Sequence, residues 1–215
     1  MSSLIAVVDY GMGNLRSVSK ALEHVAQSDQ IVKVTADADD ISEADRVVFP
    51  GQGAARDCMS EIKRLNLIEP LLKAAEEKPF LGICMGMQVL MSHSDENDGV
   101  SCMDLFPGDV KFFGDKLNQS GEEGKLKIPH MGWNNVSHKQ SHPLWNGIKD
   151  DNRFYFVHSY YVEPKDEKLI AGQTNYGIDF TSAIARDNVF AVQFHPEKSA
   201  ADGLLLLENF TRWNI

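Results

Sequence analysis

Short apolar runs bounded by turn residues recur along the first half of the chain, and we interpret them as buried β-strands. The runs are Ile5–Val8, Ile31–Val34, Val47–Phe49 and Phe80–Ile83. Amphipathic helices are predicted between them, the clearest of which extends from Asn14, a suitable N-cap, to Val25. Strands that alternate with helices in this way indicate an α/β fold.

The second half of the chain is richer in predicted strands. Its β-prone runs are Phe154–Tyr161, Thr181–Ala185 and Phe190–Phe194. The last two flank Asp187-Asn188 and are predicted to pair as a hairpin. A final amphipathic helix is expected over Gly203–Thr211, an exposed loop over Gly114–Lys127, and an irregular segment over Ile128–Asn134.

The chain has 43% hydrophobic and 24% charged residues, a composition typical of a globular protein. Its length suits one domain, which we take to span residues 1–215. The net charge is −10 and basic residues form no stripe, so we expect no nucleic-acid partner. The first residues lack a basic signal region, and no run approaches the ~20 apolar residues that cross a bilayer. We therefore expect a cytoplasmic protein without a membrane segment.

Cysteines and histidines are too widely spaced to predict a disulfide framework or a zinc site. The cysteines are Cys58, Cys84 and Cys102, with no Cys-x-x-Cys pair, which is typical of a reducing compartment. His130, His138 and His142 are loosely spaced, and we interpret them as surface or locally hydrogen-bonded residues. We expect neither a metal nor a cofactor.

One cysteine stands out because it lies between a predicted strand and a predicted helix. Cys84 follows the apolar run that ends at Ile83, is flanked by Gly82 and Gly86, and precedes a helix expected over Met85–Met91. This spacing is that of a nucleophile elbow, in which the N-terminus of the helix stabilises a thiolate and its free N–H groups hold an oxyanion. The alternative is a buried structural cysteine at a strand–helix junction.

A second candidate lies near the end of the chain, in His195-Pro196-Glu197. A residue before proline is extended, and side chains at positions i and i+2 of an extended chain project to the same side. Glu197 would then accept a hydrogen bond from one imidazole nitrogen of His195 and leave the other for a thiol. The alternative is a surface histidine at a turn.

A glycine turn, Pro50-Gly51-Gln52-Gly53, follows the third predicted strand. Taken alone it is a plain β–α turn. Taken with Cys84 and His195-x-Glu197, it completes an acyl-transfer site, in which the N–H of Met85 and that of Gln52 or Gly53 form the oxyanion hole.

At this point the chain resembles a known family. Gly82-Ile83-Cys84-Met85-Gly86-Met87-Gln88 with His195-Pro196-Glu197 resembles the class I (triad) glutamine amidotransferases over essentially the full length. Further motifs resemble the glutaminase subunits of imidazole glycerol phosphate synthases in particular. These motifs are Asp9–Asn14, Pro129–Asn134, Phe154–Tyr160, Asn175-Tyr176-Gly177 and Gln193–Ser199.

The resemblance implies a fold, a reaction and a partner. The fold is an open, mostly parallel twisted sheet flanked by helices, flavodoxin-like, with a strand-rich C-terminal part. The reaction is hydrolysis of glutamine, with ammonia passing to a cyclase subunit that is a (β/α)₈ barrel in a heterodimer. The implied residues are Cys84, His195 and Glu197 for catalysis, Gly51, Gln52, Gly53 and Met85 for the oxyanion, Gln88 with the backbone of His158, Ser159 and Tyr160 for glutamine, and Asn14, Trp133 and Lys198 towards the cyclase.

One position departs from the family pattern. Gln52 stands where the family usually has a small apolar residue, commonly valine, and a longer polar side chain there would alter how readily the turn rearranges. Three other functions also remain open from the sequence. They are a paralogous glutaminase subunit that feeds a sugar-amidating enzyme, a weakly active binding subunit that caps a barrel enzyme, and, as the most remote, a self-contained cysteine hydrolase.

Overall fold

The computed structural model describes residues 2–117 and 126–215. Its strands are β1 Ser3–Val8, β2 Gln30–Thr35, β3 Arg46–Gly51, β4 Phe80–Cys84, β5 Met91–Ser94, β6 Val100–Ser101, β7 Phe106–Phe112, β8 His130–His138, β9 Asn152–His158, β10 Tyr160–Pro164, β11 Ile170–Asn175, β12 Asp179–Arg186 and β13 Val189–Val192. Its α-helices are α1 Leu15–Val25, α2 Ala38–Glu43, α3 Ala55–Arg64, α4 Ile68–Glu77, α5 Met85–Gln88, α6 Phe113–Leu117 and α7 Ala200–Arg212.

One mixed sheet organises these elements, in the strand order β2-β1-β3-β4-β13-β12-β10-β7-β5-β6. The first five of these strands are parallel, and β12 then pairs antiparallel with β13 and β10. Strand β11 pairs with β12 and β8, and β8 pairs with β9. The parallel half carries the predicted α/β pattern. The other half is mostly antiparallel, apart from the parallel pair of β5 and β7, and contains the predicted strands of the C-terminal part.

Helices cover both faces of the parallel strands, since these strands are apolar on both sides. On one face, α2, α3 and α4 pack through Ile41, Met59 and Leu71. On the other face, α1 and α7 pack through Leu22 and Phe210.

The strands predicted in the first half and the hairpin of β12 and β13 are confirmed, while two predicted segments are wrong. The helix after Cys84 is a single turn that ends at Gln88, because the chain must turn to align β5 beside β7. The supposedly irregular segment Ile128–Asn134 enters strand β8 at His130, whose pairing with β9 outweighs the turn-forming residues around it. Of the loop predicted over Gly114–Lys127, the beginning is part of α6, and residues 118–125 lie outside the described residues.

No helix among residues 2–117 and 126–215 combines the length and the apolar character needed to cross a bilayer.

Arg46, the first residue of β3, connects the sheet to the end of α7 and is only 8% exposed. Its guanidinium donates to the carbonyl oxygens of Phe210, at 3.3 Å, and Trp213, at 2.9 Å. It also donates to the side chain of Asn214, at 3.0 Å. Carbonyl groups at the end of a helix lack partners within the helix. Arg46 supplies a charged donor to the Trp213 carbonyl and a second donor to that of Phe210, which also accepts from the Trp213 N–H at 3.2 Å.

We expect Arg46→Leu to lower the free energy of unfolding by about 2–3 kcal/mol, because the buried carbonyl groups lose a charged donor. Arg64→Leu is the matched control, since Arg64 pairs with Glu61 at the surface, at 2.8 Å, and its loss should change stability little. Urea denaturation of both variants measures the difference. Equal destabilisation by the two substitutions would contradict the structural role of Arg46.

Candidate active site

Cys84 lies at the sharp turn between β4 and α5, with φ 54° and ψ −110°, a strained conformation for a residue other than glycine. The small neighbours are required by close packing. A Cβ at Gly86 would overlap the backbone carbonyl oxygen of Phe49, and a Cβ at Gly82 would come within 2.9 Å of the side chain of Ala191. The backbone is therefore that of a nucleophile elbow, as predicted.

His195 and Glu197 form a buried pair beside this turn. The Nδ1 atom of His195 lies 2.9 Å from Oε1 of Glu197, and the two side chains are 6% and 1% exposed. His195 is extended, as expected from the following proline. The predicted reason for the pairing was wrong, however, because Pro196–Lys198 form a 3₁₀ turn, and this turn rather than an extended strand brings the carboxylate to the ring.

The environment of His195 favours its protonated form. Burial alone would lower the pKa of His195, but the neighbouring Cys84 and Glu197 side chains outweigh burial and raise it. Because Nδ1 is held by Glu197, the other nitrogen, Nε2, is available for proton exchange. Nε2 is buried and makes no hydrogen bond to any described residue.

The glycine turn lies directly beside the elbow, since Gly51 is the parallel neighbour of Cys84 in the sheet. A side chain at Gly51 would overlap the Tyr10 hydroxyl, and Gly53 has φ +93°. The carbonyl of Gln52 accepts a hydrogen bond from the Cys58 thiol, with an S···O distance of 3.4 Å. The buried side chains of Tyr10 and Cys58 thus contact the backbone of the turn, whereas the Gln52 side chain is exposed.

A cavity of about 680 Å³ brings most of the predicted site residues together, and its volume suits a small-molecule ligand. The predicted residues that line it are Gln52, Gly53, Cys84, Met85, Gln88, His158, Ser159, Tyr160, His195 and Lys198. Gly51 and Glu197 are absent from the lining but adjoin it through Gln52 and His195. No group of three or more His, Cys, Asp or Glu side chains within the described part of the chain is arranged to hold a metal ion.

The remaining wall of the cavity contains residues to which the sequence assigned no role at the site, and all but Glu96 lie within the motifs of the family resemblance. They are Gly11, Met12, Glu96, Pro129 and Val157. Glu96 also accepts a hydrogen bond from the backbone N–H of Ala55, at 2.7 Å, at the beginning of α3. Nothing in the local sequence around Glu96 marks it, because it reaches the cavity only through the pairing of β5 with β7.

Tyr160 contributes a backbone carbonyl that is already occupied by two donors. His158 Nδ1 lies 2.7 Å from this oxygen, and Gln88 Nε2 lies 3.2 Å from it. His130 lies 2.9 Å from His158 and is only 3% exposed, so of the two predicted alternatives it is a locally hydrogen-bonded residue and not a surface one. Burial lowers the pKa of His130 to about 4 and that of His158 to about 3, so both rings are neutral at physiological pH.

The three residues predicted to face a partner occupy different positions. Trp133 is 49% exposed on β8 and contacts the Tyr155 ring edge-on, with centroids 6.1 Å apart. Lys198 lies over the same tyrosine ring, 6.0 Å from its centroid, at the wall of the cavity. Asn14 is half-buried at the start of α1 and does not line the cavity.

Together, the fold and the site define a class of protein. A cysteine on an elbow beside a buried His–Glu pair in a mixed α/β sheet is the arrangement of class I glutamine amidotransferases. The model of the glutamine amidotransferase class-I family matches residues 6–212, so the chain belongs to this family of enzymes.

Two relatives show which members of the family this chain is similar to. A protein of Thiobacillus denitrificans named imidazole glycerol phosphate synthase subunit HisH is 60% identical over 214 residues, covering 100% of this chain and 93% of that protein. Imidazole glycerol phosphate synthase subunit HisH 1 of Pseudomonas aeruginosa is 56% identical over 214 residues, covering 100% and 99%.

Solved structures agree on the fold. PurLQS from Thermotoga maritima has a TM-score of 0.72 at 19% identity and covers 99% of both chains. A glutamine amidotransferase from the same organism has a TM-score of 0.58 at 17% identity, covering 94% of this chain and 79% of that one. At these identities the likeness concerns the fold alone, and it confirms the predicted fold class.

We expect Cys84→Ala to lower the pKa of His195, because the thiol is one of the two neighbours that oppose burial. A raised pKa keeps the proton on the ring as the pH increases, so without the thiol the ring loses its proton at lower pH. NMR titration of the His195 ring measures the change, with Cys102→Ala as control because Cys102 lies outside the cavity lining. An unchanged titration in Cys84→Ala would show that the two side chains do not interact.

Proposed function

We propose that this chain is the glutaminase subunit of an imidazole glycerol phosphate synthase, a single domain over residues 1–215 that works in the cytoplasm. The observation that carries the proposal is the meeting of Cys84, on its strained elbow, with the buried His195–Glu197 pair at one cavity. Full-length identities of 56% and 60% to proteins named as subunits of this synthase support the choice of pathway.

In the first half of the proposed reaction, the Cys84 thiolate attacks the side-chain amide carbon of glutamine. The oxygen of the tetrahedral intermediate accepts hydrogen bonds from the N–H of Met85 and from that of Gln52 or Gly53. Protonated His195 then gives its Nε2 proton to the amide nitrogen as the C–N bond breaks. Ammonia leaves, and the glutamyl group remains on the sulfur as a thioester.

In the second half, water hydrolyses the thioester. His195 takes a proton from the water, the oxygen attacks the acyl carbon, and the C–S bond breaks to release glutamate and restore the thiolate. Glu197 holds the ring through Nδ1 during both halves, so that Nε2 always faces the reacting atoms. Gln88 and the backbone of His158, Ser159 and Tyr160 hold the glutamine substrate.

The proposed partner is a cyclase subunit with a (β/α)₈ barrel, which forms a heterodimer with this chain. Ammonia reacts there with a phosphoribulosyl-formimino carboxamide nucleotide to give imidazole glycerol phosphate and an aminoimidazole carboxamide ribonucleotide. Trp133 and the neighbouring Met131, 49% and 62% exposed, supply apolar contact area for this partner. Asn14 and Lys198 supply polar contacts around it.

We expect the isolated chain to hydrolyse glutamine very slowly and to be strongly stimulated by a matching cyclase with its nucleotide bound. Cys84→Ala should reduce the stimulated rate at least about a thousandfold, because the nucleophile is lost. Cys102→Ala, outside the cavity lining, is the control and should retain the rate.

Glutamate release measured with the chain alone and in the complex separates the proposal from its alternatives. Stimulation only by a sugar-amidating partner would indicate the paralogous function. Absence of hydrolysis with either partner would indicate a binding subunit. Rapid turnover by the isolated chain would contradict the expected dependence on the cyclase.

We expect Trp133→Ala to weaken binding of the cyclase by about tenfold or more, because exposed tryptophans at interfaces contribute strongly to affinity. Ile31→Ala is the matched control, since Ile31 is 53% exposed on the edge strand β2, which does not pair with β8 or with its neighbours β9 and β11. Isothermal titration calorimetry of both variants measures the effect. Equal affinities for the two variants would place the interface elsewhere.

A further inference from the structure

Gln193 directly follows β13 and is a fully buried amide beside the elbow, at 0% exposure. A buried amide is costly unless its donors and its acceptor are satisfied. Gln193 Oε1 lies 2.9 Å from Gln88 Nε2, and Gln193 Nε2 lies 3.7 Å from Cys84 Sγ. The residue therefore links a cavity-lining glutamine to the sulfur of Cys84.

The orientation of both amides is set by a group that can only accept hydrogen bonds. The carbonyl oxygen of Tyr160 lies 3.2 Å from the Gln88 amide, which must therefore present its nitrogen to that oxygen. The same nitrogen then donates to Gln193, which must present its oxygen to Gln88. As a consequence, Gln193 can only present its NH₂ group to the sulfur of Cys84.

The same carbonyl is supported by the buried histidine pair. His158 donates to it through Nδ1, so His158 Nε2 is an acceptor for the Nδ1–H of His130, at 2.9 Å. His130 Nε2 then accepts from the Asn134 amide, at 3.2 Å. Asn134 in turn has its NH₂ group oriented by the carbonyl oxygen of Asn175, at 2.9 Å.

The tautomers of His158 and His130 are the same whether they are derived from the Tyr160 end or from the Asn175 end of this series of hydrogen bonds. Each end is a backbone carbonyl that can only accept. Burial lowers the pKa values of both histidines, so neither ring takes up a second proton that would break the sequence of donors and acceptors at neutral pH. Every hydrogen bond in the series from Asn134 on β8 to the sulfur of Cys84 thus joins a donor to an acceptor.

We propose that Gln193 is a further residue of the catalytic machinery, whose amide N–H donates to the sulfur of Cys84 and stabilises it as a thiolate. A neutral donor stabilises a thiolate more strongly than a thiol, because the hydrogen bond is charge-assisted. It also leaves the protonated His195 free to give its proton to the leaving nitrogen. Gln88, which orients this amide, is a positioning residue in addition to its proposed contact with glutamine.

The role in glutamine hydrolysis rests on the proposed function, whereas the contact with sulfur is testable without it. The test is alkylation of the isolated chain by iodoacetamide across a pH series, followed at Cys84 by peptide mass spectrometry. Gln193→Glu keeps the acceptor for Gln88 but loses the N–H, and Gln193→Leu removes both bonds. We expect both substitutions to move the midpoint of alkylation upward by about one pH unit, a tenfold change in thiolate population.

Val189→Ala is the control for packing, because Val189 is a buried residue at the beginning of β13, the strand that precedes Gln193. It should lower stability and leave the alkylation midpoint unchanged. If Gln193→Leu fails to fold, Gln193→Glu decides, since it preserves the size of the side chain. A folded Gln193→Glu variant with the wild-type midpoint would overturn the proposal.

In the complex with cyclase, kcat for glutamine hydrolysis should fall about tenfold in the Gln193 variants, while KM changes little, because the contact is to the nucleophile. A complex that shows no hydrolysis even with wild-type Gln193 would refute the proposed function and leave the alkylation result intact. A shifted midpoint together with an unchanged kcat would refute the catalytic role alone.

Discussion

The whole site depends on the close approach of α5 to the end of β3. Gly86 packs against the Phe49 carbonyl with no space for a side chain, and this contact forces the turn that holds Cys84 at φ 54°. Strained backbone of this kind persists only where its surroundings over-determine it. Here the surroundings are the parallel pairing of β4 with β3 on one side and with β13 on the other.

The same pairing supplies the chemical partners of Cys84 from distant parts of the chain. β3 ends in the glycine turn, and β13 leads directly to Gln193 and His195, so neighbouring strand ends deliver backbone donors, an amide and a base. This is the usual consequence of a parallel sheet, whose carboxyl ends meet at one edge. The antiparallel half adds a second constraint, because the Tyr160 carbonyl orders the polar side chains behind the sulfur.

How far the sequence predicted this arrangement depends on how local each signal is. The elbow was predictable because a short strand, two glycines and a cysteine are contiguous. The His195–Glu197 pair was predicted for a wrong geometric reason, since the spacing is also satisfied by a 3₁₀ turn. Gln193 carries one signal, a polar residue within the apolar run Phe190–Phe194, but its partners depend on sheet pairing that no local pattern reveals. Whether His130 lies at the surface or makes buried hydrogen bonds could not be decided from the sequence, because strand β8 depends on pairing with β9.

Strand β8 has a further property that follows from its alternation. Met131 and Trp133 project outward and are 62% and 49% exposed. His130, on the opposite face of the same strand, is 3% exposed. A partner that binds to Met131 and Trp133 therefore contacts the same strand that carries His130 on its inner face. The histidine pair and the Gln88 amide both donate to the Tyr160 carbonyl, so that oxygen is the point where the polar contacts of β8 meet those of the nucleophile. The amide that faces the sulfur keeps the orientation that this carbonyl imposes.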